Sequence, residues 1–215
     1  MTLKFLNLGL LAGLLLSLCS PIRATAADDS SESPGRYAAM FYGGAMTHNS
    51  LGHVVRFDYS LDQEQLYSAE LSYFFKPDQG IRRYFGPIFQ NIAANINVTY
   101  HDDHGASHYE LIPYLSFRWN KFPWTESVRT SISLGEGVSW ISSISTREHR
   151  NSTDPQKLLN YLNFELTAAL AALPQIELVW RFHHRSGVFG LYRSNNSGST
   201  AAGVGLRWYF DRLPG

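Results

Sequence analysis

The chain is poor in charge, in cysteine and in long apolar runs. Only 17% of its residues are Asp, Glu, Lys or Arg, against about 25% in an ordinary globular chain. The charges balance, 18 acidic against 18 basic. A nucleic-acid binder would carry a basic excess, so no nucleic-acid partner is expected. Cys19 is the single cysteine, which excludes a disulfide framework and any Cys-based metal motif. No phosphate loop or dinucleotide fingerprint occurs, and no cofactor is expected. No apolar run reaches the about 20 residues of a membrane helix, and the mean hydropathy is −0.19. A helical membrane bundle is thereby excluded. A membrane β-barrel is not, because its strands are only half apolar.

The amino terminus reads as an address. Lys4 precedes the apolar run Phe5 to Leu18, and Ala24-Thr25-Ala26 is a small-x-small cleavage site. This is the layout of a cleaved secretory signal peptide over residues 1–26. Cys19 raises a lipoprotein alternative, but Leu18 before it is bulky for that signal. Cleavage after Ala26 leaves 189 residues, no cysteine and a net charge of −2. Residues 27–36 form a polar leader. Nothing divides 37–215 further.

The dominant signal beyond the leader is alternation, the period of a strand. In 92–101, Ile92, Ala94, Ile96, Val98 and Tyr100 share one face, and Ala93, Asn95, Asn97, Thr99 and His101 the other. In 176–183, Ile176, Leu178, Trp180 and Phe182 oppose Glu177, Val179, Arg181 and His183. In 202–210, Val204, Leu206, Trp208 and Phe210 oppose Gly203, Gly205, Arg207 and Tyr209. The polar faces carry too many ionisable groups for a soluble core. Strand lengths of 9–11 residues and aromatic rings near strand ends fit a tilted membrane strand with interfacial girdles. The expectation is an all-β fold, an eight-stranded antiparallel transmembrane up-and-down β-barrel, with a soluble lipocalin-like barrel as the alternative.

The expected strands are 53–60, 66–75, 91–101, 108–119, 128–142, 159–172, 175–185 and 201–210. Residues 37–47 are a ninth candidate that could replace 53–60, merge with it or stay outside the wall. Closed single-chain bacterial barrels have even strand numbers, which selects eight. Glu70, Glu110, Arg118, Glu165, Glu177, Arg181 and Arg207 are expected to fill the lumen as paired charges, leaving no pore. The tight turn at 172–175 is expected on the periplasmic side and the long loop 143–158 outside.

His184 and Ser186 continue the face of Leu178, Trp180 and Phe182. A Ser–His pair can attack an acyl carbonyl, the imidazole taking the hydroxyl proton. The alternative places both in the headgroup zone, with His183, Arg185 and Arg193 binding anionic head groups. His101, His104 and His108 with Asp102 and Asp103 form a cluster that reads either as a Ca²⁺ or Zn²⁺ site or as ordinary solvated turn material. The turn reading is the expectation, so no metal is assigned.

The stretch Arg181-Phe182-His183-His184-Arg185-Ser186-Gly187-Val188-Phe189-Gly190-Leu191-Tyr192, followed by Gly198-Ser199, resembles the C-terminal motif of the bacterial lipid A 3-O-deacylase-like (acyloxyacyl hydrolase) family. Phe122-Pro123-Trp124, 135–139 and 158–165 are similar to blocks of the same broad group. The closing Gly205-Leu206-Arg207-Trp208-Tyr209-Phe210 resembles the signature by which barrel assembly machinery recognises its clients, with five residues after Phe210. The resemblance implies an outer-membrane esterase that removes an ester-linked acyl chain from lipid A in the bacterial outer membrane. Ser186 is then the nucleophile, His184 its base and Gly187 an oxyanion donor. Gly187 stands where the family has Asn, and no acid lies about twelve residues after Ser186. The third member is therefore sought in Glu136, with Glu148, Asn195 and Asn196 as alternatives. Glu136 shares the apparent face of Leu134 and Val138, unless a bulge at Gly135 or Gly137 breaks the alternation. Expected partners are outer-membrane lipid (lipid A or lipopolysaccharide) and the assembly machinery. A non-enzymatic small barrel and a phospholipase A remain the alternative functions.

Overall fold

The computed structural model describes residues 33–48, 51–56, 58–103, 105–152, 154–188, 191–192 and 198–211. The signal peptide and most of the polar leader lie outside the described residues. Eight strands follow one another around a closed barrel: β1 (Tyr37–Thr47), β2 (Leu61–Phe74), β3 (Asn91–Asp102), β4 (His108–Trp119), β5 (Val128–Ile141), β6 (Leu158–Leu170), β7 (Ile176–Ser186) and β8 (Gly198–Phe210). Each pairs antiparallel with its sequence neighbour. β1 closes on β8, with Tyr37 opposite Phe210 and Met46 opposite Ala201. We call the rim at Tyr37 and Phe210 the lower rim and the opposite one the upper rim.

The first wall strand is 37–47, not 53–60. Residues 37–47 present Ala38, Met40, Tyr42 and Met46 to the interior, each at most 3% exposed. The stretch 53–60 alternates Val55, Phe57 and Tyr59 with Arg56, Asp58 and Ser60, as a strand would. Instead Leu51–Val55 forms a single helical turn, and the Arg56 and Asp58 amides both donate to the His53 carbonyl, at 3.0 and 3.1 Å. Loop length separates the rims less cleanly than expected. The connection 171–175 is short, but 75–90 at the same lower rim is as long as 142–157 at the upper rim.

The register puts the apolar faces outside. Leu178, Val204, Leu206 and Trp208 are 50–58% exposed, whereas Glu177, Arg181 and Arg207 are at most 6% exposed. Around the upper end of β7 and β8 outward positions depart from this pattern: Phe182, Thr200 and Ala202 are only 2%, 4% and 5% exposed. The helical turn 51–55 lays Val54 over Phe182 and Ala202, and the Tyr59 ring meets Phe182 edge-on at 5.9 Å. Aromatic rings gather at both rims. Tyr37, Tyr73 and Phe210 touch at the lower rim, with centroids 5.6 and 5.9 Å apart, and Tyr100 meets Tyr109 near the upper rim at 5.3 Å. A wall that is apolar outside and charged inside, belted by rings, suits hydrocarbon rather than water.

The lumen is plugged by charge pairs. Arg181 Nε donates to Glu165 at 2.7 Å, and its Nη atoms donate to both Glu70 oxygens at 2.7 and 2.9 Å and to the Tyr114 hydroxyl at 2.9 Å. Arg207 bridges Glu165 and Glu177, each at 2.8 Å. Arg118 completes the chain on Glu177 at 2.9 Å. Three guanidiniums thus face three carboxylates, and the pairs reach from β7 across to β2. All seven charged residues expected in the lumen are buried there.

No register shift occurs between β4 and β5 or between β5 and β6. Glu136 therefore sits on a regular strand and faces outward. Gly137 is required by close approach: a Cβ there would come within 2.3 Å of the Pro113 carbonyl oxygen.

Removing one partner of a buried ion network leaves an uncompensated charge, at a cost of about 3–5 kcal/mol. Arg181→Ala is expected to lower the unfolding free energy by that amount, measured by urea titration of the detergent-embedded chain. A loss below about 1 kcal/mol would mean the pairing matters no more than a surface contact.

Candidate functional site

The outer wall near the upper rim of β5–β8 carries polar residues where hydrocarbon-facing positions are expected. Antiparallel pairing places Glu136, Leu162, His184 and Thr200 in one row across four strands. Asn160 and Ser186 form the next row toward the upper rim. Polar groups on such a face are costly unless paired or used. These are connected. His184 Nδ1 and Thr200 Oγ1 are hydrogen-bonded at 2.9 Å. Asn160 Nδ2 donates to the Glu136 carboxylate and to the Gly137 carbonyl at 3.2 Å.

His184 and Ser186 occupy alternate positions of one strand and so share a face, about 7 Å apart along the chain. Among the described residues no hydrogen bond joins Ser186 Oγ to His184. Glu136 does not orient His184. It lies two strands away, about 10 Å by strand spacing, and its carboxylate is engaged by Asn160. The residue on His184 Nδ1 is Thr200, a hydroxyl rather than a carboxylate. Sequence reasoning missed Thr200 and Asn160 because cross-strand register, not spacing along the chain, puts them beside His184 and Ser186.

Right after β7 the chain turns sharply. Gly187 is buried, and Val188 adopts φ 45°, a left-handed conformation that is strained for a β-branched residue. The Tyr192 amide returns to the Gly187 carbonyl at 3.3 Å. The end of β1 and the helical turn after it flank the site: Thr47 Oγ1 donates to the Thr200 carbonyl at 3.1 Å, and Val54 covers Phe182 two positions below His184.

Three expected site residues are on the wrong side of the wall. Arg185 and His183 alternate with His184 and so point into the lumen, each 2% exposed, and neither can meet a lipid head group. Arg185 Nε donates to Ser139 Oγ at 2.8 Å, its Nη2 to the carbonyls of Gln156 and Lys157 at 2.9 and 2.8 Å, and its Nη1 to Glu148. Glu148, in the helical turn Thr146–Asn151, is 2% exposed inside the upper mouth and cannot be the third catalytic member. Burial holds its carboxyl above the usual range, with Arg185 pulling the other way. Arg193, Asn195 and Asn196 lie outside the described residues.

The histidines expected in a solvated turn are also inside. His101 and His108 face the lumen, each 4% exposed, with rings stacked at 4.3 Å. His104 lies outside the described residues. His101 Nδ1 is 3.0 Å from Glu64 and its Nε2 is 2.8 Å from Glu110. The alternation of His101 with Thr99 and of His108 with Glu110 carried that signal; the neighbour Glu64 on the adjoining β2 and His183 across the lumen did not show in the sequence.

No family model matches the sequence, and no curated protein matches it. Among solved structures, the outer membrane enzyme PagL superposes with a TM-score of 0.53 at 14% identity, over 80% of this chain and 99% of that one. The N-terminal β-barrel domain of Pseudomonas aeruginosa OprF gives 0.44 at 10% identity, over 81% and 97%. Neisserial surface protein A gives 0.43 at 12% identity, over 81% and 96%. The likeness to PagL is one of fold.

Seating Val54 on the wall removes a side chain from water, worth about 1.5–3 kcal/mol. Val54→Asp should free the connection and speed trypsin cleavage after the exposed Arg56 about tenfold or more in the detergent-embedded barrel. Unchanged cleavage would show that the segment is not held by this contact.

Proposed function

We propose that this chain is an outer-membrane barrel whose Ser186–His184 pair hydrolyses acyl esters of outer-leaflet lipid, most specifically the ester-linked chain of lipid A. The reading rests on one observation: Ser186 and His184 share the lipid side of β7 at its upper end, His184 bonded to Thr200 and Ser186 one row above it, on a wall otherwise fitted to hydrocarbon. It includes export through the signal peptide 1–26, with the upper rim at the cell surface. Insertion then requires the assembly machinery, with the closing strand β8 as its recognition element.

In the mechanism, rotation of Ser186 toward His184 brings Oγ to Nε2. The tautomer that acts is the one in which Nδ1 donates to Thr200 Oγ1 and Nε2 is free to take the Ser186 proton; a hydroxyl serves either tautomer and does not select it. Ser186 Oγ attacks the ester carbonyl, and the Gly187 N–H stabilises the oxyanion. His184 returns the proton to the leaving alkoxide, and water then releases the fatty acid from Ser186. A hydroxyl on Nδ1 sets orientation but brings no negative charge to the imidazolium. The expected rate is therefore low beside that of a carboxylate-backed pair.

The absence of a Ser186–His184 bond among the described residues favours the second reading, a non-enzymatic barrel that only binds lipid. Fatty-acid release from purified lipid A and from phospholipid by the folded, heat-modifiable chain separates the two. Ser186→Ala, His184→Ala and the double variant should each abolish release from lipid A to the same level, because the pair acts as a unit. Thr200→Asp, which restores a carboxylate on Nδ1, should raise release about tenfold or more. Equal release by wild type and Ser186→Ala would establish the non-enzymatic reading, and release from phospholipid alone would make the chain a phospholipase A.

A further inference from the structure

The upper lumen contains a second constellation, on the opposite side of the wall from Ser186. His101 of β3, Glu110 of β4 and His183 of β7 converge there, each at most 4% exposed, with one ligand atom from each lying within 4.8 Å of the others. We propose that His101, Glu110 and His183 form a binding site for a divalent transition-metal ion, Zn²⁺ foremost.

The donor set is two imidazoles and one carboxylate, a combination that Zn²⁺ accepts with an open fourth position. His101 Nε2 lies 2.8 Å and His183 Nε2 3.0 Å from the same atom, Glu110 Oε2. Tetrahedral Zn²⁺ with bonds of about 2.0–2.1 Å separates its ligand atoms by about 3.3 Å. The three side chains need to open by only about half an ångström. The His101 and His183 rings meet edge-on, with centroids 6.3 Å apart and planes at 79°, so both nitrogens turn toward one point.

His183 shares the oxygen that His101 faces. Its buried Nε2 has Glu110 Oε2 at 3.0 Å, so two imidazole nitrogens converge on one carboxylate oxygen. The surroundings are also those of a supported metal ligand. Glu64 Oε1 stands 3.0 Å from His101 Nδ1 and would hold the ring with Nε2 free. Ser139 donates to the other Glu110 oxygen. Charge points the same way. Glu64, Glu110 and Glu148 are buried around this space, faced by the Arg147 and Arg185 guanidiniums and by the His101 and His183 rings, so a divalent ion would enter a site rich in carboxylate. Such an ion would clamp β3 and β4 to β7, the strand that carries His184 and Ser186.

The test uses the full chain folded in detergent, stripped with a chelator and then titrated with Zn²⁺ or Co²⁺. Wild type should bind one ion per chain, unfold at a higher temperature with Zn²⁺, and give the visible absorption of low-coordinate Co²⁺. Glu110→Gln and His183→Gln, both shown folded by heat-modifiable mobility, should each weaken binding at least about tenfold. His108→Gln should leave binding unchanged. Absence of binding in wild type, equal binding in all variants, or loss in His108→Gln with retention in His183→Gln would each overturn the assignment.

Discussion

The charge network around Arg181 is the constraint on which the rest depends. A wall that faces hydrocarbon cannot be stabilised from outside by the hydrophobic effect, since lipid is as apolar as Leu or Val. What distinguishes the folded barrel is the satisfaction of every strand's backbone groups and of the groups it encloses. Arg181, Glu70, Glu165, Arg207, Glu177 and Arg118 enclose one another across the lumen and are balanced in charge. That network fixes which face of β2, β4, β6, β7 and β8 is inside. Because a slip of one residue would reverse every face, it also fixes that Ser186 and His184 are outside and that His183 and Arg185 are inside.

Alternation therefore gives each side of the wall its own chemistry. On β7 the outward set ends in His184 and Ser186, a potential nucleophile and base on the lipid side. The inward set ends in His183 and Arg185, which bind carboxylates in the upper mouth. Two neighbouring residues, His183 and His184, thus belong to separate sites divided by the thickness of one strand. Val54 and Tyr59 add a further division on the outside, covering Phe182 below His184.

Much of the barrel was legible because period-two alternation is read directly from residue type. The inward charges and the outward Leu178, Val204, Leu206 and Trp208 followed from it, while the count of eight among nine candidates came from the even number that closure requires. The first strand was ambiguous because 37–47 consists of small and aromatic residues whose alternation is weak. Only the covering of Phe182 by Val54 and Tyr59 shows what 53–60 does instead. The site was half legible. Spacing put Ser186 and His184 on one face, but the residue beside the imidazole comes from pairing with β8, and no spacing along the chain exposes Thr200. Glu136 was placed on the correct face and the wrong neighbour, since its bond goes to Asn160. Arg185 and His183 were assigned to lipid by their charge, whereas strand parity alone sends them inward.

The most direct measurement is spin-label accessibility in lipid vesicles, using single cysteines in a chain with Cys19 replaced. Labels at Ser186 and Val204 should collide with oxygen dissolved in the bilayer, and labels at the inward Ser72 and Ser131 should be shielded from it. The reverse pattern would put the charged faces against lipid, contradict the register and remove Ser186 from any lipid substrate.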